Sequence, residues 1–199
     1  PISTMVSLPG DAIAGRGGLT VALHRSLAGD LSAVRDHMAG YPYTCLEQLG
    51  SRAVALGDQA MWDQTMARLP NYLDNDGLAR YFAADGWRGS DSLTAYLLVV
   101  ADEAGWKIPD VARQRMHSGL RAFVTGQIVR NSALPTADLS LRKMAAIDAL
   151  SRSSKIKPAL LGSIEIEPTL WPTSGLIDWI NVLERMPGLP ERAGKLAKA

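Results

Sequence analysis

The chain has 199 residues, of which 47% are hydrophobic and 21% are charged, a composition that can bury a core and excludes an intrinsically disordered chain. Its 21 basic and 20 acidic residues leave a formal net charge of +1, which argues against a nucleic-acid groove and against a basic membrane-binding surface. The single cysteine, Cys45, excludes an intrachain disulfide, and the longest apolar run, 95–101, is far shorter than the roughly 20 residues of a membrane span.

The first 24 residues differ from the rest of the chain. Two short runs with partial hydrophobic alternation, 5–8 and 19–23, lie on either side of a glycine-rich stretch at 15–18. This pattern predicts two short strands or extended arms joined by a turn. The glycine-rich stretch lacks the Lys-Ser/Thr ending of a phosphate-binding loop, so we interpret it as a plain turn. Residues 1–24 are therefore expected to form an extended N-terminal segment.

From residue 25 onward the hydrophobic pattern is helical almost throughout. Apolar residues recur at the helical spacing, and Gly or Pro residues separate the segments. The predicted helices are 27–39, 45–56, 60–69, 74–84, 91–104, 109–129, 137–150 and 175–185, with a single turn at 158–161. The helix at 91–104 is apolar nearly all round and should be buried on both sides. The fold is thus expected to be all-α, either a stack of helical hairpins or part of an α/α toroid.

The most informative stretch lies at the start of the second helix. Cys45 and Gln48 are three residues apart, which predicts neighbouring side chains with Cβ atoms roughly 5–6 Å apart. The free N–H groups and the dipole of a helix N-terminus favour the thiolate form of a cysteine. A thiolate held against the Gln48 carboxamide can displace ammonia and close an internal thioester, provided that water is excluded. Tyr41 and Tyr43 are the predicted shield that excludes it.

Other interpretations of the same residues stay open. The sequence from Thr44 to Glu47 fits the S/T-x-x-E capping box, so Glu47 is expected to cap the helix together with Thr44 rather than to act as an acid catalyst. A lone cysteine at a helix start is often only a small core residue. Tyr41 and Tyr43 can equally be aromatic residues of the core.

At these positions the chain resembles a known family. Residues 45–48, Cys-Leu-Glu-Gln, match the thioester motif of the alpha-2-macroglobulin and complement superfamily. The preceding Tyr-Pro-Tyr at 41–43 resembles the bacterial branch of the alpha-2-macroglobulins. Residues 8–11 and 17–19 resemble the segment that leads into the thioester domain of that branch, and 89–97 resembles a later helix of the same domain. The resemblance covers most of the chain.

The resemblance implies a fold and a function. It implies a thioester-containing α/α toroid at 25–199, a fragment incomplete at its C-terminus, preceded by a lead-in at 1–24 from a β domain. Proteins of this family are broad-range protease inhibitors, built with other macroglobulin-like domains. An amine of the protease attacks the thioester between Cys45 and Gln48 and is captured covalently, so the domain is a single-use acylating device and not an enzyme. Bacterial members lie in the periplasm, often as inner-membrane lipoproteins whose anchor is outside this segment.

One departure from the family pattern bears on the nucleophile. Some complement members use a histidine far downstream of the cysteine to transfer the acyl group to hydroxyls. The histidines here are His24, His37 and His117, and none lies in the region 160–171 where that residue would be expected. The sequence therefore favours direct attack by amines.

Two other classes of function compete with this one. An α/α-toroid enzyme of terpene-cyclase or prenyltransferase type needs clustered aspartates or a zinc site, and neither pattern is present in the sequence. The run at 74–77, Asp-Asn-Asp-Gly, resembles the start of a calcium loop, but Asp85 stands where the glutamate of such a loop belongs, which favours a turn. We therefore expect no metal and no cofactor. The last alternative is an inert helical binding scaffold in which Cys45 has no chemistry and the five tryptophans only pack the fold.

Overall fold

The computed structural model describes residues 5–7, 9–18, 31–131, 135–153, 156–164, 170–186, 188–189, 192 and 194–195. The α-helices within them are α1 (Ser32–Ala39), α2 (Leu46–Leu56), α3 (Gln59–Ala67), α4 (Asp91–Ala104), α5 (Asp110–Val124), α6 (Pro135–Ser153) and α7 (Thr173–Arg185), and the 3-10 helices are Leu69–Tyr72 and Pro158–Ser163. No strand is present in these residues, so the predicted all-α class is confirmed. None of their helices has the length and apolar character needed to cross a bilayer.

The helices pack in two layers. Neighbours in sequence pack against each other, as α2 does with α3, α4 with α5 and α6 with α7. In addition, α4 contacts both α2 and α6, so these three helices form one layer and α3, α5 and α7 lie against it. This alternation is the arrangement of an α/α toroid, as predicted.

Helix α4 lies at the centre of the core. Leu93, Leu97 and Ala101 recur on it at helical spacing, and all three are buried. Because α4 has neighbours in α2, α5 and α6, its apolar residues are covered on more than one side, as the sequence predicted. Leu97 reaches α2, where a Cβ on Gly50 would lie 3.2 Å from its Cδ2 atom.

Local signals set the ends of the central helices. The carboxylate of Asp58 accepts a hydrogen bond from the Met61 N–H at 2.9 Å, and the Ser90 hydroxyl accepts one from the Leu93 N–H at 3.2 Å. These contacts satisfy free N–H groups in the first turns of α3 and α4. At the other end, Gly57 and Gly105 adopt the left-handed conformation with φ of 67° and 69°, which ends α2 and α4.

Several helices begin or end at residues other than the predicted ones. Helix α5 ends at Val124 rather than 129, because the N–H groups of Gln127 and Ile128 both bond back to the Ala122 carbonyl and close its last turn. Helix α7 begins at Thr173, two residues before the prediction. The described residues of the N-terminal segment, 5–7 and 9–18, contain turns and no strand, whereas 19–23 and His24 lie outside the described residues.

The predicted helix at 74–84 is wrong. Residues 73–90 form an irregular segment with two isolated backbone bridges, Leu73 to Ala79 and Ala79 to Ser90. The Ala79 N–H also donates to the Thr94 hydroxyl at 2.8 Å, which fastens the segment to α4. Leu78 and Ala79 are fully buried, so tertiary packing holds this stretch in a conformation that its helical pattern does not indicate.

Asp74 organises this irregular segment. Its carboxylate accepts hydrogen bonds from the Leu78 N–H at 2.9 Å and the Gly89 N–H at 2.7 Å. The guanidinium of Arg130 then contacts Asp74 at 3.0 Å and Asp76 at 2.8 Å. The sequence at 74–77 thus forms a turn, as expected, and its carboxylates bind an arginine.

Gly119 explains how the segment approaches α5. A Cβ at this position would lie 2.5 Å from the Asp76 carbonyl oxygen, a distance at which no side chain fits. A glycine inside a helix weakens it, so its presence usually has a packing reason. Here the reason is the close passage of the irregular segment over α5.

Candidate functional site

Cys45 is the N-cap residue of α2, and its backbone is extended with φ of −68° and ψ of 161°. Its side chain is only 7% exposed. The helix therefore begins at Leu46, one residue later than predicted, and the thiol lies under the first turn rather than within it.

Cys45 and Gln48 form the capping pair of this helix. The Cys45 side chain faces the backbone N–H of Gln48, while the Gln48 carboxamide reaches back so that its Oε1 atom accepts a hydrogen bond from the Cys45 N–H at 3.3 Å. The predicted capping box of Thr44 and Glu47 is thus wrong by one residue, because Thr44 precedes the cap and its side chain is exposed. The shift places the thiol and the carboxamide over the same turn of backbone.

Glu47 has a different partner from the one predicted. Its carboxylate accepts a hydrogen bond from the Ser51 hydroxyl at 2.6 Å, one turn along α2. The same hydroxyl lies 2.6 Å from the phenol oxygen of Tyr96 on α4. This chain of polar contacts fixes α2 against α4 immediately behind the Cys45–Gln48 pair.

The rings of the two predicted shield residues contact each other. The ring centroids of Tyr41 and Tyr43 are 5.4 Å apart in an edge-to-face arrangement, and His37 lies 5.3 Å from Tyr41 on the other side. Tyr41 is half-buried, whereas Tyr43 is 62% exposed. An exposed Tyr43 adds an aromatic surface beside the site, but its ring is not part of a closed core.

Arg52 holds the segment that carries these tyrosines. Its guanidinium donates to the backbone carbonyl of Ala39 at 2.9 Å and to that of Tyr41 at 3.5 Å. Both carbonyls precede α2 in the chain, so the arginine draws the approach segment back onto the helix. This contact could not be predicted from the sequence, since an arginine can bind carbonyls at any distance along the chain.

A second aromatic region adjoins the helix start and was missed by the sequence reasoning. The Leu46 N–H donates to the Tyr81 carbonyl at 2.9 Å, which brings the irregular segment 73–90 against the first turn of α2. Tyr81, Phe82 and Trp87 in this segment are all exposed, and the rings of Phe82 and Trp87 are 5.7 Å apart. Trp87 thus departs from the expectation that the tryptophans pack the core. The only available signal was a cluster of large aromatics in a stretch that also contains Asp-Gly turns.

The other candidates are separate from this site. His117 lies on α5, and its Nε2 atom is 3.1 Å from the Ser153 hydroxyl at the end of α6. The tryptophans Trp62 and Trp106, and likewise Trp171 and Trp179, pack in pairs with centroids 5.7 Å and 5.6 Å apart. In the described part of the chain, no group of three His, Cys, Asp or Glu side chains is placed to hold a metal ion.

Comparison with known proteins identifies the fold. No protein-family model matches the chain, and no curated protein matches it. A crystal structure of native alpha-2-macroglobulin from Escherichia coli, spanning domain MG7 to the C-terminus, is similar with a TM-score of 0.70 and 19% identity over 85% of this chain and 30% of that one. A cryo-EM reconstruction of native E. coli alpha-2-macroglobulin is similar with a TM-score of 0.68 and 20% identity, over 84% of this chain and 12% of that one. This chain therefore has the fold of one part of E. coli alpha-2-macroglobulin.

Proposed function

We propose that this chain is the thioester domain of an alpha-2-macroglobulin-like inhibitor that traps proteases covalently. The observation that supports this most strongly is the Cys45–Gln48 pair, in which each side chain contacts the backbone N–H of the other residue in the first turn of α2 and Cys45 is buried. The likeness to E. coli alpha-2-macroglobulin supports the same function. Neither observation depends on the other, since the first is local geometry and the second is the arrangement of helices.

The proposed bond forms by expulsion of ammonia. The Cys45 sulfur attacks the carboxamide carbon of Gln48, the carbon–nitrogen bond breaks, and the nitrogen leaves as ammonia with the thiol proton. During the attack negative charge develops on Oε1, the atom that already accepts a hydrogen bond from the Cys45 N–H at 3.3 Å. A backbone donor placed there stabilises the charge as it forms.

Trapping reverses this reaction, with an amine of the protease in place of ammonia. The amino nitrogen of a protease lysine bonds to the Gln48 carbonyl carbon, the carbon–sulfur bond breaks, and Cys45 takes the displaced proton as a free thiol. The protease is then joined to the chain by an amide bond. Since nothing regenerates the thioester, each molecule reacts once and is not an enzyme.

Water must be kept from the bond until a protease arrives. We assign this role to Tyr41 and Tyr43 on one side of the helix start and to the segment that contains Tyr81 on the other. Large rings beside a reactive acyl group exclude water and so slow hydrolysis. His117, which bonds to Ser153 on another part of the fold, is not assigned a role in acyl transfer, and we expect direct attack by amines.

The remaining parts of the proposal concern the parent protein. The chain spans 30% of the crystallised E. coli fragment and 12% of the E. coli protein, and we propose that further macroglobulin-like domains carry out target recognition. We place the protein in the periplasm, as a lipoprotein held at the inner membrane by an anchor outside these residues. Its partners are proteases, with no nucleic acid involved.

The decisive experiment is the intact mass of the full 199-residue chain. A formed thioester makes the chain lighter by one ammonia than its sequence requires and leaves Cys45 unreactive towards thiol reagents. Addition of methylamine should then release one thiol and attach one methylamine at Gln48. A mass equal to that of the plain sequence, together with a Cys45 that reacts at once, would contradict the proposal and favour the inert scaffold.

Three variants control this experiment. Gln48→Glu replaces the carboxamide by a carboxylate that cannot expel ammonia, and Cys45→Ser removes the sulfur, so neither should show the lower mass or take up methylamine. Gln114→Glu makes the same chemical change at an exposed position of α5 and should behave like the parent chain. Incubation with trypsin then tests trapping, because a covalent adduct that survives boiling in detergent should form only where the thioester is intact.

A further inference from the structure

A cleft of about 370 Å³ lies at the C-terminal ends of α4 and α6, where the N-terminal half of α5 crosses them. Its apolar part is made by Leu98, Ala101, Ile108 and Ala149, with Trp106 beside them. The volume falls in the range of small-molecule sites, which are mostly apolar with a few converging polar groups. None of the residues proposed above for the thioester contributes to this cleft.

Two of its polar side chains face each other. The Nε2 atom of His117 lies 3.1 Å from the Ser153 hydroxyl, so α5 and α6 each contribute one hydrogen-bonding group to the same wall. Burial lowers the pKa of His117 below its ordinary value of 6.5, and the positive charges of Arg113 and Arg121 lower it further. The imidazole is therefore neutral at pH 7 and can donate one hydrogen bond while it accepts another.

The charged side chains around the cleft differ in how free they are to bind a ligand. Arg152 is nearly buried and binds three carboxylates, those of Asp102 at 3.2 Å, Glu103 at 2.9 Å and Asp148 at 3.0 Å. These carboxylates hold Arg152 in place and neutralise its charge. In contrast, among the residues that the structure describes Arg113 pairs only with Asp110, at 2.6 Å, and both members of that pair are exposed to solvent.

An exposed ion pair of this kind contributes little free energy and is readily exchanged for another anion. The ammonium of Lys107 is exposed on the same rim. The positive potential that disfavours a proton on His117 favours a negative charge on a ligand. The rim thus offers two cations, Lys107 and Arg113, and one free neutral donor from the His117–Ser153 pair above an apolar floor, while the carboxylates of Asp102 and Asp110 in the same lining are paired with arginines.

We propose that this cleft binds a small apolar carboxylate, with the carboxylate at Arg113, Lys107 and Ser153 and the apolar body on Trp106 and Ile108. A guanidinium binds a planar carboxylate through two parallel hydrogen bonds, which suits a singly charged acid. A phosphate would use the cations but leave the apolar floor uncovered. The same chemistry is presented by a free organic acid and by the last residue of a peptide that ends in an apolar side chain.

The test uses 3-phenylpropionate as the probe, titrated into the full chain by calorimetry. Saturable binding at one site is expected, and 3-phenylpropionamide, which has the same shape without the charge, should bind about tenfold more weakly or not at all. A nuclear magnetic resonance titration of the His117 imidazole should show its pKa raised by the bound anion. Equal binding of acid and amide, or no saturable binding by the acid, would overturn the proposal.

Variants locate the site and separate it from the thioester. Arg113→Gln should weaken binding of 3-phenylpropionate about fivefold to tenfold, whereas the same change at Arg35, exposed on α1, should have no effect. Ser153→Ala, at an exposed position, should weaken binding, while the variant still lacks one ammonia relative to its own sequence and still reacts with methylamine. Absence of the thioester would therefore not contradict the proposed carboxylate site, and absence of carboxylate binding would not contradict the proposed thioester.

The source of the carboxylate is tested with a peptide that ends in phenylalanine. Tighter binding of this peptide than of the free acid would show that the cleft binds chain termini, and equal affinity would show that it binds small acids.

Discussion

The packed helices α3 to α7 and the region around the start of α2 are built in different ways. In the first, long helices bury their apolar faces, and charged side chains such as Asp91 and Asp148 are buried only with arginine partners. In the second, an N-cap cysteine lies next to an irregular segment that is held by side-chain hydrogen bonds and exposes large aromatic rings. The difference teaches that stability resides mainly in the first region and that the proposed chemistry depends on the second. Each prediction below perturbs one of these two regions, and the first two make the matched change in the other region.

The largest effect is expected from the same substitution at two tryptophans. Trp62 is fully buried on α3, packs against Trp106 and donates to the Lys107 carbonyl at 2.9 Å, whereas Trp87 is 56% exposed in the irregular segment. Trp62→Ala should lower the free energy of unfolding by about 3–5 kcal/mol, because a large cavity and an unpaired carbonyl remain. Trp87→Ala should cost less than about 0.5 kcal/mol. Urea denaturation monitored by circular dichroism measures both, and similar losses would refute the contrast.

A buried ion pair gives the next largest effect. Asp91 is 2% exposed and accepts a hydrogen bond from Nε of Arg142 at 2.8 Å, and that guanidinium also lies over the Phe123 ring. Asp91→Asn leaves a mostly buried arginine with the more exposed Asp138, 3.5 Å away, as its remaining counter-charge, and should lower the free energy of unfolding by about 3 kcal/mol. The matched change Asp76→Asn removes a carboxylate that meets Arg130 near the surface, and a loss of less than about 1 kcal/mol is expected.

A third substitution perturbs the irregular segment itself. A Cβ at Gly89 would clash with the Leu78 carbonyl oxygen, so Gly89→Ala must shift the segment and should lower the free energy of unfolding by about 1–3 kcal/mol. Since the Tyr81 carbonyl of this segment binds the Leu46 N–H, the fraction of chain that shows the lower, thioester mass should fall as well. Gly162→Ala, where the added Cβ meets open space, serves as the control. An unchanged mass fraction in a destabilised Gly89 variant would show that the segment does not protect the site.

The smallest effect is a dependence of stability on pH that belongs to the packed helices. Burial raises the pKa of Asp178 on α7 to about 6, and the nearby charge of Asp148 adds to the shift. A carboxyl whose pKa is raised on folding binds more protons in the folded chain, so stability falls as the pH rises from about 4 to about 6. Because Asp178 is only half-buried, we expect a change of about 1 kcal/mol over this range. In Asp178→Asn this part of the pH dependence should disappear, and its persistence would assign it to another group.

The sequence determined the local features of the fold. Hydrophobic spacing predicted α2, α3 and α4 to within two residues, because caps such as Asp58 and Ser90 act within one turn. The closeness of Cys45 and Gln48 followed in the same way from helix geometry, although the cap itself lay one residue later than expected. The predicted helix at 74–84 failed because the burial of Leu78 and Ala79 against other helices outweighs a weak local preference.

Contacts between residues distant in the sequence were decided only by the tertiary structure. The Arg130 contact with Asp74 and the passage of Tyr81 over the start of α2 each join chain segments that no helical period relates. The same holds for the cleft where His117 meets Ser153. Local periodicity records which face of a helix is apolar, but the partner of that face depends on how all the helices pack together. The closeness of two residues within one helical turn can therefore be predicted from the sequence, whereas the residues that surround them cannot.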